Sequence, residues 1–260
     1  MTGVRGDEDV ASVNAGVTPA VPPAQGSAAP SRRTLANQIK TAFTRAIFAR
    51  AVDYDRGNPL LVVERPETEA LLPDMAGRDV LDLGAGHAYY TAHARAHGAR
   101  KVVALDISEP LLRGTKAPAV VADAAALPLA SQQFDVVVAA LVLSYVDRAA
   151  ALGEIARVLR PSGTLVVSDL HARGAALGGW RRTFRGADGG MVAVEAPPPA
   201  PETLRAEIEA AGLRVEAVRE TPVDERLEPH FRKAGRRDLP ALLGVPLLVH
   251  IVARKGAAHA

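Results

Sequence analysis

Apolar segments and helix-like segments alternate along the middle of the chain. The apolar segments are DVLDLGA (79–85), KVVALDIS (101–108), PAVVAD (118–123), FDVVVAALVLSYV (134–146) and TLVVSDL (164–170). Between them lie segments of helical character, the last of which is stopped by Pro161 and Gly163. Short apolar runs separated by helices are typical of a parallel sheet whose two faces are both covered. The pattern therefore predicts an α/β fold with a parallel sheet and helices on both faces.

The regions outside this alternation differ in composition. Residues 1–33 are rich in Ala, Gly, Pro and Ser, which predicts a disordered tail. The next segment, residues 34–72, begins with apolar residues at helical spacing, namely Leu35, Ile39, Phe43 and Ile47. This amphipathic helix either packs on the core or closes over a ligand as a lid. Residues 73–260 form the predicted main domain, in which residues 171–200 are a variable substrate region with a hairpin signal, TFRGADGGMVAVE.

Composition restricts the classes of function. The chain has 260 residues, no cysteine and a formal net charge of +2. The lack of cysteine excludes disulfides and thiolate metal sites, and no apolar run reaches the roughly 18 residues of a membrane-spanning helix. The N-terminus carries acidic residues where a secretory signal is basic and then apolar. Because most arginines are scattered, we expect a cytoplasmic protein that binds a small molecule, with neither nucleic acid nor membrane as partner.

The turn after the first strand, LGAGHAYY, indicates the kind of ligand. A strand that ends in Gly84-x-Gly86 and continues into a helix lets a ligand approach the backbone closely. A dinucleotide-binding turn needs a small residue three positions later, but this chain has Tyr89 there. Asp82, two residues before the first glycine, adds a negative charge that repels phosphate. The turn therefore favours a ligand that carries a positive charge and no phosphate.

Two further carboxylates follow the next two strands. Asp106 lies 20 residues after Gly86, at a position where a carboxylate accepts hydrogen bonds from both hydroxyls of a ribose. Asp123 closes the third apolar run, where a carboxylate or backbone amide can recognise the exocyclic amine of an adenine. Strand ends often carry Asp simply as a turn former. Three in register beside a Gly-x-Gly turn instead predict one crevice for an adenosine with a cationic group.

These segments resemble the class I S-adenosylmethionine-dependent methyltransferases, in particular the small-molecule branch of quinone and natural-product enzymes. The similarity runs from about Leu60 to Leu170 and includes VLDLGAGHAYYT, VVALDIS and EIARVLRPSGTLVVSDL. It implies a Rossmann-like sheet of seven strands, the last antiparallel, with S-adenosylmethionine as cofactor, S-adenosylhomocysteine as product and no metal. The chain departs from the family at Ala88, where a third glycine is usual, and in the short segment 108–119. The cofactor residues implied are Asp82, Gly84, Ala85, Gly86, Asp106, Ile107, Asp123, Ala124, Ala140 and Leu141.

The predicted reaction is methyl transfer to an O, N or C atom of a small metabolite, in quinone or secondary-metabolite biosynthesis. His171, after the fifth strand, is the candidate general base; the alternative is a loop histidine bonded to backbone. Tyr54 and Tyr89 are the other candidate catalytic residues: Tyr89 or Tyr90 could reach the methionine end of the cofactor, and Tyr54 could close over the same crevice. Candidate substrate contacts are Tyr90, Tyr145 and Trp180.

Two other functions remain open on the sequence. The first is an NAD(P)-dependent oxidoreductase, against which Tyr89 argues. The second is a non-catalytic subunit with a methyltransferase fold, against which the glycines and the three carboxylates argue. Substrate identity is not predicted, and a monomer and a homodimer are both expected possibilities.

Overall fold

The computed structural model describes residues 51–53, 58–178, 182–186, 190–194 and 197–257. The predicted disordered tail, the amphipathic helix of residues 34–50, Tyr54 and Trp180 lie outside these residues.

A sheet of seven strands forms the centre of the main domain. Its strands are β2 (Asp79–Leu83), β3 (Lys101–Asp106), β4 (Ala119–Val121), β5 (Phe134–Ala140), β6 (Leu159–Leu170), β9 (Leu213–Pro222) and β10 (Pro246–Lys255). Their order in space is β4-β3-β2-β5-β6-β10-β9. Strand β10 runs antiparallel to both of its neighbours, whereas the pairs between β4 and β6 are parallel. The predicted fold is confirmed, including the antiparallel last strand.

Helices cover both faces of this sheet, so the central strands carry apolar side chains on both faces. The helices are α1 (Leu60–Glu69), α2 (Tyr89–Ala96), α3 (Glu109–Leu112), α4 (Arg148–Val158), α5 (Ala172–Gly178), α6 (Pro201–Ala210), α7 (Glu228–Lys233) and α8 (Leu239–Leu242). On one face, Ile155 of α4 and Ile208 of α6 belong to the same buried cluster as Leu81 and Leu83 of β2. On the other face, Tyr90 of α2 packs with Val138 of β5. No helix among the described residues has the length and apolar composition to cross a membrane.

The segment between β3 and β4 contains little helix, as the short segment 108–119 predicts. Helix α3 has four residues, Glu109–Leu112, which is one turn. Its buried residues Leu111 and Leu112 pack inward beside the carboxyl end of β3.

A second, three-stranded sheet joins two segments that are far apart in the sequence. Strand β7 (Arg182–Gly186) pairs antiparallel with β8 (Met191–Val194), which is the predicted hairpin. Strand β1 (Ala51–Asp53) then pairs antiparallel with β7. Strand β1 was not predicted from the sequence; it lies within residues 34–72, directly after the predicted helix of residues 34–50. The hairpin offers an open edge whose backbone groups need partners, and β1 supplies them.

Ion pairs hold together the amino-terminal ends of the parallel strands. The carboxylate of Asp79, the first residue of β2, accepts hydrogen bonds from Arg100 at 2.8 and 2.9 Å and from Arg160 at 2.8 Å. Arg160 also contacts Asp135 of β5 at 2.8 Å. Hydrogen bonds from Arg100, assisted by Arg160, lower the pKa of Asp79 to about 2.

Candidate cofactor site

A cleft opens at the carboxyl ends of β2, β3 and β5, with about 690 Å³ of space that includes open solvent. Its lining residues are Gly84, Gly86, Leu105, Asp106, Ile107, Leu111, Asp123, Ala124, Ala140, Leu141, Val142, Tyr145 and Val146. The charged residues among them are Asp106 and Asp123, both acidic. The described wall of the cleft is therefore apolar with two carboxylates, and it presents no arginine or lysine.

The glycine turn brings bare backbone to this cleft. Gly84 has a φ of +71°, and a Cβ there would lie 2.5 Å from Cγ2 of Val142. The N–H groups of Gly84 and Ala85 both donate to the carbonyl oxygen of Leu105, at 2.7 and 2.9 Å. The turn is thus fixed to β3, and a side chain at position 84 would collide with the opposite wall.

The third residue of the glycine motif is the site of backbone strain. Ala88 adopts φ 61° and ψ 38°, the left-handed region, immediately before α2. This conformation costs an L-residue about 1–2 kcal/mol and suits glycine. Alanine in place of the family's usual glycine at position 88 therefore strains the backbone.

Asp106 lies between the glycine turn and the cleft. It is 8% exposed, and its two carboxylate oxygens accept hydrogen bonds from the N–H groups of Gly86 and Ser108, both at 2.8 Å. Burial raises its pKa. The backbone N–H of Ile107 also bonds to this carboxylate. A carboxylate has about four lone-pair positions, so Asp106 retains acceptor capacity towards the cleft. Just after the neighbouring strand β4, the carboxylate of Asp123 accepts from the N–H of Ala125 at 2.9 Å.

Asp82 and Ala85 do not line the cleft, unlike the other eight predicted cofactor residues. Asp82 is 2% exposed, and one of its oxygens accepts from the N–H and the hydroxyl of Thr91 at 2.7 and 2.8 Å. Burial raises the pKa of Asp82 to about 7. The two bonds from Thr91 oppose this shift, and the charge of Asp106 adds to it. Asp82 thus fixes the first turn of α2, and its charge lies behind the glycine turn.

The two tyrosines that follow the turn contact helix α1. The hydroxyl of Tyr89 donates to Glu69, and the guanidinium of Arg65 lies 3.8 Å from the centre of its ring. The hydroxyl of Tyr90 contacts both oxygens of Glu64 at 2.8 and 2.9 Å. Neither tyrosine is among the cleft-lining residues, so the structure does not bring their hydroxyls to the predicted methionine end.

His171 begins the connection from β6 to α5. Its Nδ1 accepts from the N–H of Arg173 at 3.0 Å, and its Nε2 lies 3.7 Å from the carboxylate of Glu220. The neutral imidazole has one acceptor nitrogen, and here the Arg173 amide occupies it. His171 is also absent from the cleft lining. The described geometry matches the alternative of a backbone-bonded loop histidine and gives the general-base assignment no support.

The opposite wall of the cleft, residues 140–146, is held by strand β6. The N–H of Leu141, which has a φ of 54°, donates to the carbonyl oxygen of Ser168 at 2.8 Å. The carboxylate of Asp169 accepts from the N–H and hydroxyl of Ser144 at 3.0 and 2.7 Å. Tyr145, predicted as a substrate contact, is thereby brought into the cofactor cleft itself.

Several residues of the site were not predicted. Leu105, Leu111, Val142 and Val146 line the cleft, but their sequence signal is the same as that of core residues. Glu64 was also missed, although it lies in the apolar segment LLVVE, four residues before Thr68. A carboxylate on the buried face of a helix is the signal that would have identified it.

The cleft fits S-adenosylmethionine better than a dinucleotide. Position 84 leaves room for close approach because a Cβ there would fill the space next to Val142. Asp106 keeps acceptor capacity for ribose hydroxyls, and Asp123, after the neighbouring strand β4, also lines the cleft. A pyrophosphate needs cationic or amide partners and repels carboxylates. The charged residues of the described cleft are acidic, which suits a ligand with a cationic sulfonium and ammonium.

Comparison with known proteins agrees with this geometry. Residues 81–167 match a family model described as a methyltransferase domain. The chain is 44% identical over 109 residues to demethylmenaquinone methyltransferase of Mycobacterium sp. (strain JLS), covering 40% of this chain and 47% of that protein. The matched part thus spans about half the length of that relative.

A longer alignment and a solved structure extend the similarity. The chain is 32% identical over 197 residues to demethylmenaquinone methyltransferase of Clavibacter sepedonicus, covering 70% of this chain and 77% of that protein. A crystal structure of an S-adenosylmethionine-dependent methyltransferase from Mesorhizobium loti shares the fold, with a TM-score of 0.57, 24% identity and coverage of 74% and 98% of the two chains. The chain belongs to the class I S-adenosylmethionine-dependent methyltransferases.

Proposed function

We propose that this protein transfers a methyl group from S-adenosylmethionine to a small metabolite. The observation that carries the proposal is the acidic, otherwise apolar cleft beside the glycine turn, which Asp106 lines. Membership of the family supports the same reaction.

The residues of the cleft have separate parts in holding the cofactor. Asp106 accepts hydrogen bonds from the ribose hydroxyls, and Asp123 with Ala124 faces the adenine. Gly84 and Gly86 leave the backbone open to the methionine part. S-adenosylmethionine supplies an electrophilic methyl group on a positively charged sulfur. The apolar residues Leu141, Val142 and Val146 keep water from this region.

The described cleft presents no histidine or lysine to act as a base, which bears on the substrate. Catalysis then depends on aligning the nucleophile with the methyl group, an effect that can contribute several kcal/mol on its own (roughly 7–11 in model reactions). Alignment suffices for a nucleophile that ionises readily or is an electron-rich carbon. The two relatives named for demethylmenaquinone support a hydroxylated aromatic ring as substrate.

Binding measurements separate this function from the oxidoreductase alternative. We expect S-adenosylhomocysteine to bind in titration calorimetry and NAD not to bind. Tight binding of NAD with no binding of S-adenosylhomocysteine would reverse the assignment.

An activity assay separates the enzyme from a non-catalytic subunit. The full chain is incubated with methyl-labelled S-adenosylmethionine and demethylated naphthoquinols, phenols and amines, and the products are identified by mass spectrometry. Asp106→Ala serves as the variant with weakened cofactor binding, and Glu202→Ala, an exposed change on α6, serves as the matched control. Cofactor binding without a methylated product in any substrate class would favour the non-catalytic subunit. The cytoplasmic location and the oligomeric state remain predictions.

A further inference from the structure

Glu64 is a buried carboxylate that the proposed reaction does not use directly. It lies on α1, is 1% exposed, and does not line the cofactor cleft. Its Oε1 accepts hydrogen bonds from the hydroxyls of Thr68 at 2.8 Å, Tyr90 at 2.8 Å and Ser168 at 2.6 Å. A buried carboxylate is costly unless its oxygens are satisfied, so this position requires three hydroxyl partners from three different elements.

Two of these partners lead to the two opposite walls of the cleft. Tyr90 is the second residue of α2 and lies four positions after Gly86 of the glycine turn. Ser168 is near the carboxyl end of β6, and its carbonyl oxygen accepts from the N–H of Leu141, a cleft residue in the left-handed region. Glu64 therefore hydrogen-bonds to one residue behind each wall of the cleft: Tyr90 behind the glycine turn, and Ser168 behind residues 140–146.

We propose that Glu64 is a positioning residue that sets the separation of the two walls of the cofactor cleft through Tyr90 and Ser168. This inference rests on the proposed function, because the cleft is assigned to the cofactor there. Glu64 acts through other residues, since it does not reach the cleft. A shift of these walls by a fraction of an ångström weakens every contact that must be made to both at once.

The first test compares two substitutions of Glu64 with matched substitutions of Glu67. Glu67 lies one turn further along α1, at the surface, in an ion pair with Arg226 at 3.0 Å. In Glu64→Gln the amide oxygen still accepts from the hydroxyls, so we expect S-adenosylhomocysteine affinity within about three-fold of the unmodified chain. In Glu64→Leu the acceptor is lost, and we expect affinity to fall by about ten-fold or more. Glu67→Gln and Glu67→Leu should leave it unchanged.

The second test does not depend on cofactor binding. Hydrogen–deuterium exchange of the cofactor-free chain is followed in peptides covering residues 84–91 and 140–146. Glu64→Leu should speed exchange in both peptides, and Glu64→Gln in neither. If the unmodified chain fails to bind S-adenosylhomocysteine while this exchange pattern appears, the proposed function fails and the positioning role stands.

Single-hydroxyl variants keep the proposal testable if Glu64→Leu does not fold. Tyr90→Phe and Ser168→Ala each remove one link, and we expect each to weaken S-adenosylhomocysteine binding by about three- to ten-fold. The proposal is overturned if folded Glu64→Leu, or both single-hydroxyl variants, bind with unchanged affinity and exchange, whatever happens to the melting temperature.

Discussion

Asp79 and Asp82 stand three positions apart on the same strand, are both buried, and have opposite electrostatic surroundings. Hydrogen bonds from Arg100, with Arg160 beside it, lower the pKa of Asp79 to about 2. Burial raises the pKa of Asp82 to about 7, with the charge of Asp106 acting in the same direction. The amino-terminal edge of the sheet thus neutralises its carboxylate within the protein. At the carboxyl-terminal edge, Asp82 instead accepts its hydrogen bonds from Thr91, and this more acidic environment is one that a cationic cofactor complements.

The largest expected effect comes from comparing glycines at the two edges. Gly84 and Gly77 have nearly equal φ values, +71° and +70°, but only Gly84 is crowded, by Val142. Gly84→Ala adds overpacking of about 1–3 kcal/mol to the strain of the left-handed region. Gly77→Ala adds strain alone, about 1–2 kcal/mol. Urea unfolding should show a larger stability loss for Gly84→Ala than for Gly77→Ala. Calorimetry should show loss of S-adenosylhomocysteine binding for Gly84→Ala only. Equal losses in the two variants would contradict the crowding at Gly84.

Substituting one carboxylate at each edge of the sheet separates effects on cofactor binding from effects on stability. Asp106→Ala loses charge-assisted hydrogen bonds worth about 1.5–3 kcal/mol, so we expect S-adenosylhomocysteine affinity to fall about 10- to 100-fold. Asp79→Asn disrupts the contacts to Arg100 and Arg160, so it should lower the melting temperature and leave affinity unchanged. Calorimetry and thermal unfolding of both variants check this. Unchanged affinity in Asp106→Ala would remove it from the cofactor site.

The pH dependence of stability should have opposite signs at the two carboxylates. The lowered pKa of Asp79 means that its contribution is present above about pH 4 and is lost as pH falls towards 2. The raised pKa of Asp82 means that the native chain holds its proton more tightly, so stability decreases as pH rises from about 4 to about 7.

The variant Asp82→Asn isolates the second of these effects. Its amide oxygen still accepts from Thr91, so the decrease between about pH 4 and 7 should shrink by up to roughly 4 kcal/mol. Denaturant unfolding at several pH values measures it. An identical pH profile in Asp82→Asn and the unmodified chain would show that Asp82 titrates normally.

A smaller effect is expected at Ala88. Because its φ is 61°, replacement by glycine should relieve strain and stabilise the chain by about 1 kcal/mol. The exposed Ala92 of α2, replaced by glycine, should destabilise it by a similar amount, since it lies within the helix. Thermal unfolding of the pair decides the point, and loss of stability in both variants would mean that the left-handed turn at Ala88 is not strained.

The smallest effect is expected at His171. With Nδ1 bonded to the Arg173 amide, the imidazole is not available as a base, so His171→Ala should change kcat by less than about five-fold. The pH–rate profile should keep its shape. A loss of about 100-fold, with a changed shape of the pH–rate profile, would restore the general-base role.

The sequence alone determined the order of the strands' apolar runs, the glycine turn, and the positions of Asp106 and Asp123. These are local properties, because a strand buried on both faces must be apolar and a close backbone approach needs glycine. It also indicated the antiparallel last strand, through the family resemblance.

Only the tertiary structure decided which of the neighbouring polar groups face the cleft. Asp82 and Asp106 both sit near strand ends in the sequence, yet Asp82 bonds to Thr91 behind the turn while Asp106 lines the cleft. Tyr90 and Ser168 meet at Glu64 because α1, α2 and β6 pack together there. Such contacts join residues up to 104 positions apart. They depend on how whole elements pack, and no spacing within a single segment encodes that.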